Sequence, residues 1–432
     1  MKRKITKKIG VTFGSMGLAV SMIACADGGS NDASSNASNG GDSEEIELTV
    51  WLWPGFGVTD LLAQYEEENP HISINLQEAE YGDVHQNLIT ALAAGSGAPD
   101  ISGIDEGYLD RMMENPEHFH NLMDYGGADL KDTYLDFKWE QGTNHEEDFL
   151  IGVPTDVGPM VMAYRMDLFE EAGLPTDPNE VAEQMSTWED YIEAGKQLND
   201  VTDGYMFNNL SDLYTAILEQ GSPQHFDEDN NFISEESERN LYAWDLATSA
   251  EGISANIERH TTEWGAGVAA GEFATVFLPP WMLGNIKEDA PDTDGLWNVT
   301  NMPEGSGNFG GSFLSLPAEG DHPEEAYDLA TWLMAPEQQL TIFENSGPFP
   351  STPELYDEPA IQELEDTFFT RTDLGALYAE AAEDIVYGYK GPNHDLVNEL
   401  FQEALGSVED GNNTPEEAWR NAIDEAERQI GR

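Results

Sequence analysis

Residues 46–106 read IELTVWLWPGFGVTDLLAQYEEENPHISINLQEAEYGDVHQNLITALAAGSGAPDISGIDE. Ile46 to Trp53 is β-prone and is closed by the Pro54-Gly55 turn pair. Val58 to Glu68 changes to helical spacing, with Leu61, Leu62 and Tyr65 on one side. His71 to Leu76 alternates as a strand. Asp83 to Ala94 returns to a helix whose face carries Val84, Leu88, Ile89 and Leu92, and Pro99 to Ile104 is a third short strand. This β-α-β-α-β order predicts a mostly parallel sheet covered by helices, hence an α/β fold. In such sheets ligands bind beyond the carboxyl ends of the strands. Trp53, Tyr81, Asp105 and Glu106 all stand at or just after strand ends, so they are candidates to line one crevice.

The alternation continues outward from this stretch. Ile151 to Arg165 is extended, with Pro154 and Pro159 interrupting it. Helices are expected from Asp167 to Ala172 and from Ser186 onward. A strand from Phe273 to Leu278 runs into Pro279-Pro280 and a helix beginning at Trp281. Gly311 to Leu316 is a strand, followed by helices over 324–334 and 337–344 and an acidic helical tail. About 390 residues is more than one core usually serves, so two domains are expected.

The N-terminus reads differently. Lys2, Arg3, Lys4, Lys7 and Lys8 precede a mostly apolar stretch from Ile9 to Ala24, the pattern of a secretory signal. It ends at Cys25, the only cysteine of the chain. Met22-Ile23-Ala24-Cys25 resembles a bacterial lipobox, which makes Cys25 the expected lipidation site. Residues 26–45 are Gly, Ser, Asn, Asp, Ala and Glu-rich, suited to a flexible tether. With one cysteine no disulfide framework is possible.

The chain has 18 basic and 84 acidic residues, a net charge of -66. Five of the basic residues lie within 2–8, leaving thirteen to face every acid. Ten Trp and 39% hydrophobic residues provide enough material for packed cores, so the charge does not imply disorder. It disfavours nucleic acid as a partner, since phosphate demands a basic surface. Dense surface carboxylates suit high salt, which screens their repulsion, or high external pH.

Several segments in order are similar to the extracellular solute-binding proteins of ABC importers, in the sugar and oligosaccharide group. They are LTVWLW (48–53), LITALAAGSGAPDI (88–101), IGVPTDVGPMVMAYRMDLFEEAGL (151–174), TWEDY (187–191), PPWMLGNI (279–286), GGSFLSLP (310–317) and TWLMAPEQQLTIFENSGPFP (331–350). The resemblance implies two α/β lobes of the type II binding-protein fold, joined by crossing strands and closing on ligand about a hinge. Lobe 1 is expected over 46–154 plus 314–347, and lobe 2 over 158–310 plus 350–432. The crossings fall near 154–158, 309–314 and 346–350. The implied partners are an oligosaccharide, a membrane permease and its ATPase. The chain is expected to be a lipid-anchored monomer with no cofactor, no metal and no catalytic residue.

A neutral sugar offers a C–H patch to an aromatic face and a rim of hydroxyls to acceptors and donors. Trp281, which the resemblance places at the stacking position, leads the aromatic candidates, with Trp53 and Trp264 after it. Asp105, Glu106, Asp156 and Ser312 are the polar candidates, with Tyr81, Asn208 and Tyr387 after them. Residues 305–310 satisfy G-x-G-x-x-G but precede a strand, which is wrong for a phosphate cradle. Asp227, Asp229, Asn231 and Glu238 have calcium-loop spacing, but Phe232 replaces the turn glycine; an acidic solvated turn fits better. A surface-anchored glycosidase also needs tryptophans and two carboxylates, and a binding protein for a polyol or glycerol phosphodiester shares the fold; these remain the alternatives.

Overall fold

The structure is a computed structural model that describes residues 45–259 and 261–431. Cys25, the signal and nearly all of the tether lie outside the described residues. The strands are β1 (Ile46–Leu52), β2 (Ile72–Glu78), β3 (Ile101–Asp105), β4 (Gly152–Pro154), β5 (Asp156–Val157), β6 (Val161–Arg165), β7 (Thr275–Leu278), β8 (Trp297–Thr300), β9 (Ser312–Ser315) and β10 (Phe349–Pro350). They form a five-stranded sheet in the order β2-β1-β3-β9-β4, a three-stranded sheet β7-β6-β8 and the ribbon β5-β10.

The opening stretch folds as its pattern predicts. β1 pairs in parallel with β2 and with β3, and the helices Thr59–Glu68 and Tyr81–Ala94 connect them. Leu48, Val50 and Leu52 are buried with Leu314 and Ala330 on one side of the sheet. Ile104 and Phe313 are buried with Leu88 on the other. Burial of both faces is what parallel pairing requires.

The mostly parallel expectation fails beyond these strands. β9 runs antiparallel to β3 and β4, and β6 pairs antiparallel with β7 and β8. β9 comes from a segment about 200 residues downstream that enters the first sheet from the side of the second, so its direction is reversed. The second sheet is also covered on both faces: Met162 and Tyr164 pack with Trp188 and Tyr214, while Val161 and Ala163 pack with Trp297 and Val299. The architecture is therefore two α/β lobes, each built on one sheet.

Three segments run side by side between the sheets. β5 pairs with β10, and the Phe309 N–H donates to the Gly158 carbonyl at 2.8 Å. A Cβ on Gly158 would lie 2.1 Å from the Phe309 oxygen, so only glycine permits this approach. Gly311 has φ +95, and its missing Cβ leaves room for the Asp156 carbonyl, which would be 2.5 Å away.

Candidate ligand-binding cleft

A cavity of about 980 Å³ opens where β1 and β3 end and the crossing segments pass. Seven of the eight residues expected from sequence line it: Trp53, Tyr81, Asp105, Glu106, Asp156, Trp281 and Ser312.

Trp53 follows β1 directly. It meets Phe56 at 4.8 Å, His85 at 5.1 Å and Tyr81 at 5.4 Å between ring centroids. Tyr108 stacks on His85 at 4.0 Å. His85 is fully buried and fixes this patch. Its Nδ1 donates to the Tyr81 carbonyl at 2.8 Å, and its Nε2 accepts the Asp105 N–H at 3.0 Å. Burial lowers its pKa to about 4, so the ring is neutral, one nitrogen donating and the other accepting.

Asp105 caps the helix Glu106–Met113, its Oδ1 accepting the Gly107 N–H at 3.0 Å. Burial first, and then the adjacent Glu106 charge, push its carboxyl up to about 7, against a hydrogen bond with Tyr81. Glu106 is enclosed. It accepts from Asn308 at 2.6 Å, Gln141 at 2.7 Å and the Gly310 N–H at 3.1 Å. Asp156 Oδ1 accepts from the Thr155 hydroxyl at 2.7 Å and from the Ser312 N–H and hydroxyl at 3.1 and 3.0 Å. The crossing strands thus hold one oxygen of Asp156 in place.

Trp281 lies in the turn of 3-10 helix Pro280–Met282 that follows β7. Its indole N–H donates to the Phe309 carbonyl at 3.0 Å and its ring tilts over Phe309 at 5.8 Å. The indole is held by its polar edge, the arrangement a stacking platform needs.

Trp264 is the correction. It stands in the helix Thr262–Ala270, capped by the Thr261 hydroxyl, and is 2% exposed against Phe273. Its polar, Gly-rich stretch is a capped helix whose Trp faces the core, so Trp264 does not line the cavity. Asn208 and Tyr387 do not line the cavity either; Asn208 is buried and bonds Asp212 and the Ile257 carbonyl. Asp227 accepts the Asp229 and Asn231 N–H groups in an exposed turn, and no metal-binding cluster occurs among the described residues.

The structure adds lining residues that the sequence reading missed: Tyr108, Glu219, Asn285, Lys390, His394 and Asn398. Lys390 Nζ lies 3.3 Å from Glu106 and 3.1 Å from Glu219, and these carboxylates hold its pKa above the ordinary lysine value despite burial. Glu219 is raised, by burial first.

Two sheet-based lobes, side-by-side crossings and a deep cleft between them define a hinged solute-binding protein. The sequence model of the bacterial extracellular solute-binding protein family matches residues 60–370, and the chain belongs to that family. It is similar to a crystal structure described as an extracellular solute-binding protein of family 1, with 32% identity, a TM-score of 0.85, and coverage of 89% of this chain and 99% of that one. It is 26% identical to the arabinooligosaccharide-binding protein of Halalkalibacterium halodurans over 87% of this chain and 88% of the relative. An ABC-transporter-associated binding protein of B. animalis subsp. lactis, solved with β-1,6-galactobiose, shares the fold at 21% identity and TM-score 0.70, covering 89% of this chain and 98% of that one.

Proposed function

We propose that this chain captures a neutral oligosaccharide outside the cytoplasmic membrane and presents it to the permease of an ABC importer. The observation that carries this reading is the lining of the cleft. Aromatic faces from both lobes, Trp53 and Trp281, stand with the fixed acceptors Asp105 and Asp156 around a cavity near the top of the ~300–1,000 Å³ range of small-molecule sites. Lys390 is the only Lys or Arg lining it among the described residues, and two carboxylates occupy that charge. Anionic sugars and phosphodiesters find no counter-charge there. Trp53, Tyr81, Asp105, Glu106, Asp156, Trp281 and Ser312 are the proposed contacts.

The lobes divide at 46–154 plus 314–347 and 158–310 plus 350–432, and ligand bridging both favours the closed state. No bond is made or broken. Residues 1–24 export the chain and Cys25 carries the lipid that tethers it; among the described residues no helix is long and apolar enough to cross a membrane. The acidic surface works in salt, so stability rises from low to molar NaCl.

Calorimetry with arabino- and galactooligosaccharides, followed by chromatography of the mixture, tests the reading. Stoichiometric binding with intact sugar is expected. Hydrolysis products would make the chain a glycosidase, and heat only with a glycerol phosphodiester would overturn the sugar assignment.

A further inference from the structure

One of the five lysines beyond residue 8 is placed in the interior. Lys138, in the helix Asp136–Gly142, has no exposed surface, and its Nζ has no hydrogen-bond partner among the described residues. The Nζ stands 4.1 Å from the centroid of the Phe313 ring. A buried ammonium without a hydrogen bond is costly, and a ring face offsets only part of that. An apolar side chain would fill the same space at lower cost, so packing does not account for the charge.

Its place relative to the cleft does. The Nζ lies directly behind Gly311, where a Cβ would meet it at 3.0 Å. Gly311 lines the cavity and Lys138 does not, so the ammonium lies behind the cleft floor. The cleft acids are tied to the same step of chain. The Glu106 N–H donates to the Gly311 carbonyl at 3.0 Å, Asp105 is the register partner of Ser312, and Asp156 accepts the Ser312 N–H at 3.1 Å. Gln141, one turn along the lysine's own helix, donates to Glu106 at 2.7 Å. Burial lowers the Lys138 pKa; Glu106, Asp156 and Asp105, in that order, pull it back up, and Lys390 opposes them. Asp136 and Glu140 of its own helix are exposed. Lys390 is already shared between Glu106 and Glu219.

We propose that Lys138 is a positioning residue of the binding site, supplying from behind Gly311 the counter-charge that lets Asp105 and Asp156 stand together as acceptors toward a neutral sugar. The proposal rests on the oligosaccharide reading and adds a residue outside the cleft that decides how well its acceptors work. Gly311 serves the same end, since a side chain there would displace the ammonium.

The test is calorimetric titration of the full chain with arabino- and galactooligosaccharides from pH 6 to pH 9. Burial first, then Glu106, push the Asp105 carboxyl up to about 7, and Lys138 pulls the other way. Losing that pull raises it further, by about one pH unit for a nearby cation. The acceptor is the ionised form, so affinity should rise with pH, and in Lys138→Met the rise should move upward by about that unit. At pH 7 the variant should bind roughly fivefold more weakly than the parent, and the two should converge near about pH 9. Lys138→Arg, which keeps the charge, should restore the parent profile. Asp395 also stands beside Gly107 and is raised to about 6, by burial first, with Lys390, Glu106, Asp110 and Glu219 acting on it; its titration is common to parent and variant and drops out of the comparison. A loss of equal size at every pH in Lys138→Met, or none, overturns the proposal. NMR of the parent labelled with [13C]lysine should show the Lys138 side chain charged across the same pH range. A neutral amine at pH 7 overturns the counter-charge even where Lys138→Met does not fold. A parent that binds no oligosaccharide at any pH overturns the sugar reading itself, and the positioning role falls with it.

Discussion

Trp53, Phe56, Tyr81, His85 and Tyr108 at the cleft touch ring to ring, whereas beside them Glu106, Glu219 and Lys390 make a buried three-charge bridge. The two sides obey different rules. Rings gain by losing water and tolerate small changes of partner. Buried charges lose their hydration and are tolerable only while each is paired. On the proposed reading the aromatic rings grip the sugar and the charged bridge sets the geometry in which the grip occurs.

The comparison breaks most sharply at Lys390. Lys390→Met removes the cation that bridges Glu106 and Glu219, and breaking a buried pair costs on the order of 3–5 kcal/mol. Urea unfolding at pH 7.5 should show a loss of that size. It should be smaller at pH 5, because protonation of Glu219, whose pKa burial raises, grows in that direction. An equal loss at both pH values would mean that the lysine stem, not its charge, holds the walls together.

Trp281→Ala probes the aromatic side. It removes a stacking face and should weaken oligosaccharide binding by about 2 kcal/mol, roughly 30-fold. Trp281→Phe should recover most of the loss, because a flat apolar face is what the sugar needs. If Phe is as poor as Ala, the indole acts through its bond to the Phe309 carbonyl, and that side is less tolerant than proposed.

The same contrast explains which parts could be read from sequence. The stretch from Ile46 to Asp105 was legible because its pattern is local: period two, then 3.6, then two again. Trp53, Asp105 and Glu106 followed from strand ends. The antiparallel entry of β9 was not legible, because pairing Asp105 with Ser312 is a long-range event that no local period records. Glu219 was hidden among 84 acids. Lys390 did carry a signal: with so few lysines, one in an acidic helical tail has no solvating role to fill. Asn285 stood inside the quoted 279–286 segment and needed only the observation that an amide one helical turn beyond Trp281 shares its face.

Asp105 joins the two sides and gives a subtler effect. Its carboxyl is pushed up to about 7 in the folded chain, against about 4 when unfolded. Between those values the folded state holds a proton that the unfolded state has lost, so stability falls as pH rises from about 4 to 7 and levels off above. Asp105→Asn removes this contribution. Thermal melts at pH 5 and pH 8 should differ by a few degrees less in the variant than in the parent. An unchanged difference would assign the slope to other raised acids, Glu409 and Asp395.

The smallest effect is expected at Trp264, and it separates a tryptophan that binds from one that packs. Trp264→Phe leaves a small void beside Phe273, which costs stability, but it also removes a buried indole N–H that has no partner among the described residues, which returns some of it. The two terms oppose, so the net loss should be about 1 kcal/mol. Affinity for the oligosaccharide should stay within about twofold, since the residue lies outside the cleft and distant sites act independently. Trp281→Phe should show the reverse balance, a larger change in affinity than in melting. If Trp264→Phe weakens binding as much as Trp281→Phe does, the Thr262–Ala270 helix turns when ligand arrives and brings a further ring to the sugar.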